Sequence, residues 1–108
     1  MKKITLGILT LAIAVFFFTP VAVAADGAKI FQANCAGCHA NGTNRIDPDK
    51  TLKQGDLKKW EINSANKIID LVNRGKFAMP GFRDRLEKDE IKSVANYVLE
   101  QAANDWKL

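Results

Sequence analysis

Histidine is almost absent from this chain of 108 residues: His39 stands alone, beside two cysteines and two methionines, one of which is the initiator Met1. That scarcity excludes several chemistries. A structural zinc site takes four nitrogen or sulfur ligands, whereas Cys35, Cys38 and His39 supply three, with no second Cys or His cluster downstream. Oxygen chemistry at an open metal centre wants a distal His or an Arg–His pair, which a chain with a single histidine lacks once that residue is engaged elsewhere. Alternating apolar and polar runs of strand length are missing too. Without them there is no interleaving of strands and helices of the kind a thioredoxin-like domain needs. Nor is there the clustered basic stripe that nucleic acid calls for. Acids and bases are interspersed, so Lys58-Lys59 and Arg83-Asp84-Arg85 read as solvated faces, and no nucleic-acid partner is expected.

What is present is Cys35-Ala36-Gly37-Cys38-His39. Two thiols separated by two residues lie close together on a helical turn, and His39 follows directly. This fits covalent attachment of one haem c through two thioether bonds, with His39 as an axial iron ligand. A reactive thiol pair, a structural disulfide and a metal knuckle use the same Cys-x-x-Cys spacing, so the surroundings decide between them. Met79 is the sole methionine after the initiator and lies in Lys76-Phe77-Ala78-Met79-Pro80-Gly81-Phe82. Pro80 fixes its own φ and pushes Met79 toward extended backbone, which suits a loop presenting a thioether. An isolated methionine is ordinarily a gap-filler in a core. Paired with the upstream motif, Met79 becomes the candidate second axial ligand.

The N-terminus reads as an export signal. Lys2 and Lys3 form a positive start, Ile4 to Phe18 is an almost unbroken apolar run, and Ala22-Val23-Ala24 has the small-residue pattern of a cleavage site. Residues 1–24 are expected to be a cleaved signal peptide and 25–108 a single domain, with Ala25 as its first residue. An uncleaved anchor is the alternative, since the apolar stretch approaches the roughly twenty residues that span a bilayer. Pro20 and the Ala-x-Ala ending favour processing, so no permanent membrane anchor is expected. Removing 24 of 108 residues leaves 84, a size at which a side-chain core alone is marginal. A bound macrocycle adds buried apolar surface. Lys2 and Lys3 leave with the signal, so 14 bases face 12 acids and the formal charge falls from +4 to +2. Haem propionates would bring it close to neutral. Thioether attachment takes place outside the cytoplasm, where free thiols otherwise tend to oxidise.

The remaining pattern is all-α. Asp26 is an N-cap for a helix running through Ala28-Lys29-Ile30-Phe31 into the motif, with Phe31 and Cys35 on one face. Asn41 to Asp49 reads as a loop beneath the haem, followed by short helical turns from Thr51 to Trp60. Asn63 or Ser64 caps a helix with Ile68, Leu71 and Val72 on one side, ending at Gly75. The last helix has Glu87, Asp89 and Glu90 at its start and a stripe of Ile91, Val94, Ala95, Val98 and Ala102. The first and last helices are expected to cross, with Gly27 permitting close approach near Phe31 and Tyr97. Trp60 and Trp106 carry no expected function.

With these pieces assembled, the chain closely resembles the cytochrome c6 branch of the class I c-type cytochromes. The match covers nearly all of the region after the signal. It rests on the haem motif, Asn44, Pro48-Asp49-Lys50-Thr51-Leu52, Gly75-Lys76 with Ala78-Met79-Pro80, Arg85-Leu86, Glu90-Ile91, Val94-Ala95, Tyr97-Val98 and Gln101. The resemblance implies a small class I cytochrome c fold, about four helices around one covalently bound haem. It also implies a lumenal or periplasmic electron carrier, not an enzyme, that takes electrons from the cytochrome b6f complex and delivers them to photosystem I. By position, Cys35 and Cys38 would hold the haem, His39 and Met79 would ligate iron, and Arg85 matches an arginine used near the haem for docking. Where typical members have a glutamine and, three residues later, an asparagine, this chain has Leu71 and Arg74. An apolar side chain beside the cofactor alters its hydrogen bonding, so Leu71 is expected to lower the midpoint potential.

Electron transfer breaks no substrate bond, and transient redox partners meet through small, wet interfaces. A monomer with Lys76 and Arg85 on the haem-proximal rim is the expectation. Two rival readings are a donor to a terminal oxidase or another acceptor, and a haem sensor in which Met79 detaches to open the iron.

Overall fold

Asp26 has the short carboxylate that helix starts favour, and its Oδ1 accepts from the amides of Ala28 at 3.1 Å and Lys29 at 3.3 Å. Helix α1, Gly27–Asn34, follows in the computed structural model, which describes residues 25–107. The expected signal over 1–24 lies outside the described residues. At Cys35 the helix is interrupted by a widened φ (φ −118°, ψ −34°), and the haem motif continues on a separate short helix, α2, Ala36–His39. A 3-10 turn, Ala40–Gly42, comes next, then α3, Gln54–Lys59, α4, Ala65–Arg74, and α5, Lys88–Ala103. Among the described residues, five helices therefore stand where about four were expected, because the break at Cys35 divides the first into two. Among the described residues there is no strand, only an isolated bridge between Lys76 and Met79.

The α5 stripe read from sequence is the spine of the core: Ile91, Val94, Ala95, Val98 and Ala102 are all buried. Glu87 and Glu90 start this helix by capping each other, the Glu87 amide donating to Glu90 Oε1 at 2.9 Å. Ile30 and Phe31 of α1, Leu57 of α3, Ile68 and Val72 of α4, and Phe82 complete the core. Where α1 meets α5, a Cβ on Gly27 would lie 2.9 Å from the Cβ of Tyr97 and would overlap the Ser93 carbonyl. Glycine there lets the two backbones touch.

Three aromatic rings seal this crossing. Phe31 lies 5.4 Å from Tyr97 and 5.3 Å from Trp106, and Tyr97 meets Trp106 edge-on at 6.2 Å. Trp106 has a part that its sequence position did not disclose. Its indole Nε1 donates to the Leu52 carbonyl at 3.1 Å, and its ring covers Gly42, where any Cβ would collide with it. The tail after α5 is thus tied to the loop that follows the motif.

Ser64 caps α4 by accepting from the Lys67 amide at 3.3 Å, and Gly75 ends it at φ 72°, a left-handed value that favours glycine. The chain then doubles back. The Phe82 amide donates to the Val72 carbonyl at 2.8 Å, and Gly81 passes so close to the end of α4 that a Cβ would lie 2.8 Å from the Asn73 carbonyl oxygen.

Candidate haem site

The motif occupies one turn. The amides of Cys38 and His39 both donate to the Cys35 carbonyl, at 3.2 and 2.9 Å. Cys35 is half-buried against the core, whereas Cys38 is exposed. Burial pushes the Cys35 thiol up to about 11, so at neutral pH it is a thiol rather than the thiolate that disulfide exchange requires. This speaks against Cys35 as the attacking thiol of a reactive pair. Among the described residues, no group of three or more His, Cys, Asp or Glu side chains converges to hold a metal ion.

His39 Nδ1 lies 2.9 Å from the carbonyl oxygen of Thr43. A carbonyl can only accept, so Nδ1 carries the proton and Nε2 keeps its lone pair, the tautomer a metal-ligating imidazole needs. The Thr43 carbonyl is itself held in place. The Thr43 amide and hydroxyl donate to the Ala40 carbonyl at 3.1 and 2.6 Å, across left-handed Asn41 (φ 55°) and Gly42 (φ 76°). Asn44 then clamps the loop, its Oδ1 accepting from the amides of Ile46 and Asp47 while its Nδ2 donates to the Lys50 carbonyl at 2.9 Å. The Arg45 amide returns to the Cys38 carbonyl at 2.8 Å.

Met79 is delivered by a tight turn. Its amide and carbonyl pair with those of Lys76, both at 3.0 Å, leaving Phe77 and Ala78 at the tip. Gly75 permits the turn, since a Cβ there would strike Pro80 and the Met79 carbonyl. Met79 is half-buried against the same core that Cys35 touches. Leu71 sits one turn before Gly75, whose amide donates to the Leu71 carbonyl at 2.7 Å. Although half-buried, Leu71 does not join the core cluster, which leaves its apolar side chain available to another apolar body. Two thiols, an imidazole with a free Nε2, a thioether and an apolar side chain outside the core form a donor set that fits a covalently held haem.

Lys76 and Arg85 are exposed, and neither has an ion-pair partner among the described residues. The Arg85 guanidinium carbon lies 5.6 Å from the centre of the Phe82 ring, a cation–π contact that steadies it. Arg74 pairs with Asp70 within α4. Phe77 was not singled out from sequence: it is 94% exposed and sits at φ 53°. A bulky ring between Lys76 and Ala78, at the tip of the turn before the candidate ligand, was the available signal.

A family model described as cytochrome c oxidase, cbb3-type, subunit III, matches residues 22–98. The cytochrome c6 of Nostoc sp. (strain PCC 7120) is 51% identical over 99% of this chain and 100% of its own length. A crystal structure of cytochrome c6 from the diatom Phaeodactylum tricornutum superposes with a TM-score of 0.73 at 46% identity, covering 74% of this chain and 94% of that one. Cytochrome c6C from Synechococcus sp. PCC 7002 superposes with a TM-score of 0.72 at 44% identity, covering 74% and 98%.

Proposed function

The chain belongs to the cytochrome c6 family, as a haem electron carrier, and from that premise we propose that it shuttles electrons from the cytochrome b6f complex to photosystem I. Its cofactor is a c-type haem, and Cys35 and Cys38 fit the two thioether attachments. When bound, the haem supplies a reversible one-electron change at iron. The chain's own residues do the rest. His39, through Nε2, and Met79, through the sulfur on the turn that Lys76 closes, would hold the haem iron. The Met79 thioether would keep oxygen from the iron and would raise the potential.

The observation that carries this reading is the contact between His39 Nδ1 and the Thr43 carbonyl at 2.9 Å. It orients the ring and fixes the tautomer before any iron arrives. Leu71 sets the polarity beside the cofactor, and Lys76 and Arg85 form a charged rim for brief docking. The carrier acts as a monomer in a thylakoid lumen or periplasm after cleavage behind Ala24. Among the described residues, no helix is long and apolar enough to cross a membrane.

A second reading, donation to a terminal oxidase, draws on the match of residues 22–98 to an oxidase-subunit family. Flash photolysis separates the two. The haem-loaded protein at micromolar concentration is expected to reduce flash-oxidised photosystem I. Failure to do so, with turnover of a terminal oxidase instead, would reject the first reading in favour of the second.

A further inference from the structure

Gln101 breaks the apolar stripe of α5. It is 8% exposed, and among the described residues its Oε1 is a buried side-chain oxygen with no hydrogen-bond partner. Its backbone is fixed, since the Gln101 carbonyl accepts from the Trp106 amide at 2.7 Å and the Asn104 amide at 3.1 Å. Gln101 lines a surface pocket together with Ala25, Asp26, Tyr97 and Glu100. The other polar residues lining it are two carboxylates, Asp26 from the start of α1 and Glu100 from α5, and the uncharged Ser93, Asn96 and Tyr97 of α5. Among the described residues, no cationic side chain lines it. The chemistry is that of a site for a small cation that also donates hydrogen bonds.

We propose that the occupant is the α-ammonium group of Ala25 itself, created when the signal is removed, and that it docks by donating to Gln101 Oε1. The proposal rests on cleavage behind Ala24. In the uncleaved chain the Ala25 nitrogen is an amide, with one N–H whose direction the peptide plane fixes. A signal peptidase hydrolyses the Ala24–Ala25 bond: water's hydroxyl joins the Ala24 carbonyl to give a carboxylic acid, and its hydrogen goes to the Ala25 nitrogen. The acid ionises and the amine takes up a proton, giving three donors that turn freely about the N–Cα bond. The positive end of α1 opposes an ammonium at this position, and the Asp26 and Glu100 carboxylates offset it. Ala25 already packs against the core, so little further ordering is required. Maturation then completes the α1–α5 crossing, and the unpartnered oxygen of Gln101 is satisfied only after export.

The test uses the haem-loaded protein recovered after export, with its N-terminus read by mass spectrometry and its α-amino pKa by competitive labelling across pH. The expected result is a chain starting at Ala25, with an α-amino pKa at least about half a unit above the ordinary range of about 7.7–8.0. Gln101→Leu should return the value toward that range. Because that variant can fail to fold, a second one carries one extra alanine ahead of Ala25 and should do the same by displacing the ammonium. A chain that starts at Ala25 with an ordinary pKa overturns the docking and leaves the cleavage standing. A chain that starts elsewhere overturns both, and a raised value that survives Gln101→Leu overturns the part assigned to Gln101.

Discussion

His39 is oriented by Thr43: the imidazole Nδ1 and the Thr43 carbonyl oxygen lie 2.9 Å apart across a left-handed Asn41–Gly42 corner. Nothing in the Thr43 side chain makes this contact. The position of its carbonyl depends on the corner, and the corner depends on Gly42 lying beneath Trp106.

Gly42→Ala therefore strikes the site from below. The residue sits at φ 76°, and a new methyl group would meet the indole ring. Left-handed backbone for a residue with a Cβ costs about 1–2 kcal/mol, before the displacement of Trp106 is counted. Denaturant unfolding of the haem-loaded variant should show a loss of at least about 1 kcal/mol. An unchanged midpoint would mean that the corner does not depend on glycine.

Phe77 is exposed at a φ that a phenylalanine rarely adopts, and a bulky ring held in that state beside a candidate ligand suits contact with a partner. Asparagine tolerates left-handed backbone better. Phe77→Asn should leave thermal stability unchanged or raised, while the apparent dissociation constant for photosystem I rises roughly fivefold, equivalent to about 1 kcal/mol. Unaltered affinity would remove Phe77 from the docking rim.

Leu71 is half-buried but lies outside the core. If Leu71 faces the haem as proposed, Leu71→Gln would bring a hydrogen-bonding group to it, and redox titration should show a midpoint potential raised on the order of tens of millivolts, a small part of the range such surroundings can tune. No change would show that Leu71 does not set the potential.

Asp56 closes the start of α3 by accepting from the Thr51 hydroxyl at 2.6 Å and amide at 3.0 Å, and these bonds hold its carboxyl below the ordinary value of 3.8. A depressed pKa in the folded state contributes stability above the unfolded value, and that contribution disappears as pH falls through the folded one. Asp56→Asn should lower stability at neutral pH. The gap between the two proteins should close as acid takes the pH below 3.8. A gap independent of pH would assign the effect to packing.

Much of the fold was legible in the sequence because its signals are local. The Asp26 cap, the Ser64 cap, the Gly75 stop and the α5 stripe each lie within a few residues of the structure they specify. The candidate site was legible for the same reason: Cys35, Cys38 and His39 share one turn. What escaped was set at a distance. Trp106 reaches Leu52 and Gly42 through the tertiary fold, and no periodicity in the tail discloses an indole that closes a loop so far upstream. The carbonyl that orients His39 belongs to the backbone, on which the identity of Thr43 is silent. Gln101, in the middle of an apolar stripe, becomes noteworthy only once its oxygen is seen to be buried without a partner.

The central claim is that His39 and Met79 close the iron between them, so that the chain carries electrons and does not bind gases. Adding carbon monoxide to the reduced haem-loaded protein tests it most directly, with Met79→Ala as the opened reference. The wild-type spectrum should stay unchanged while the variant shifts at once. Rapid carbon monoxide binding by the wild type would contradict the closed site and restore the haem-sensor reading.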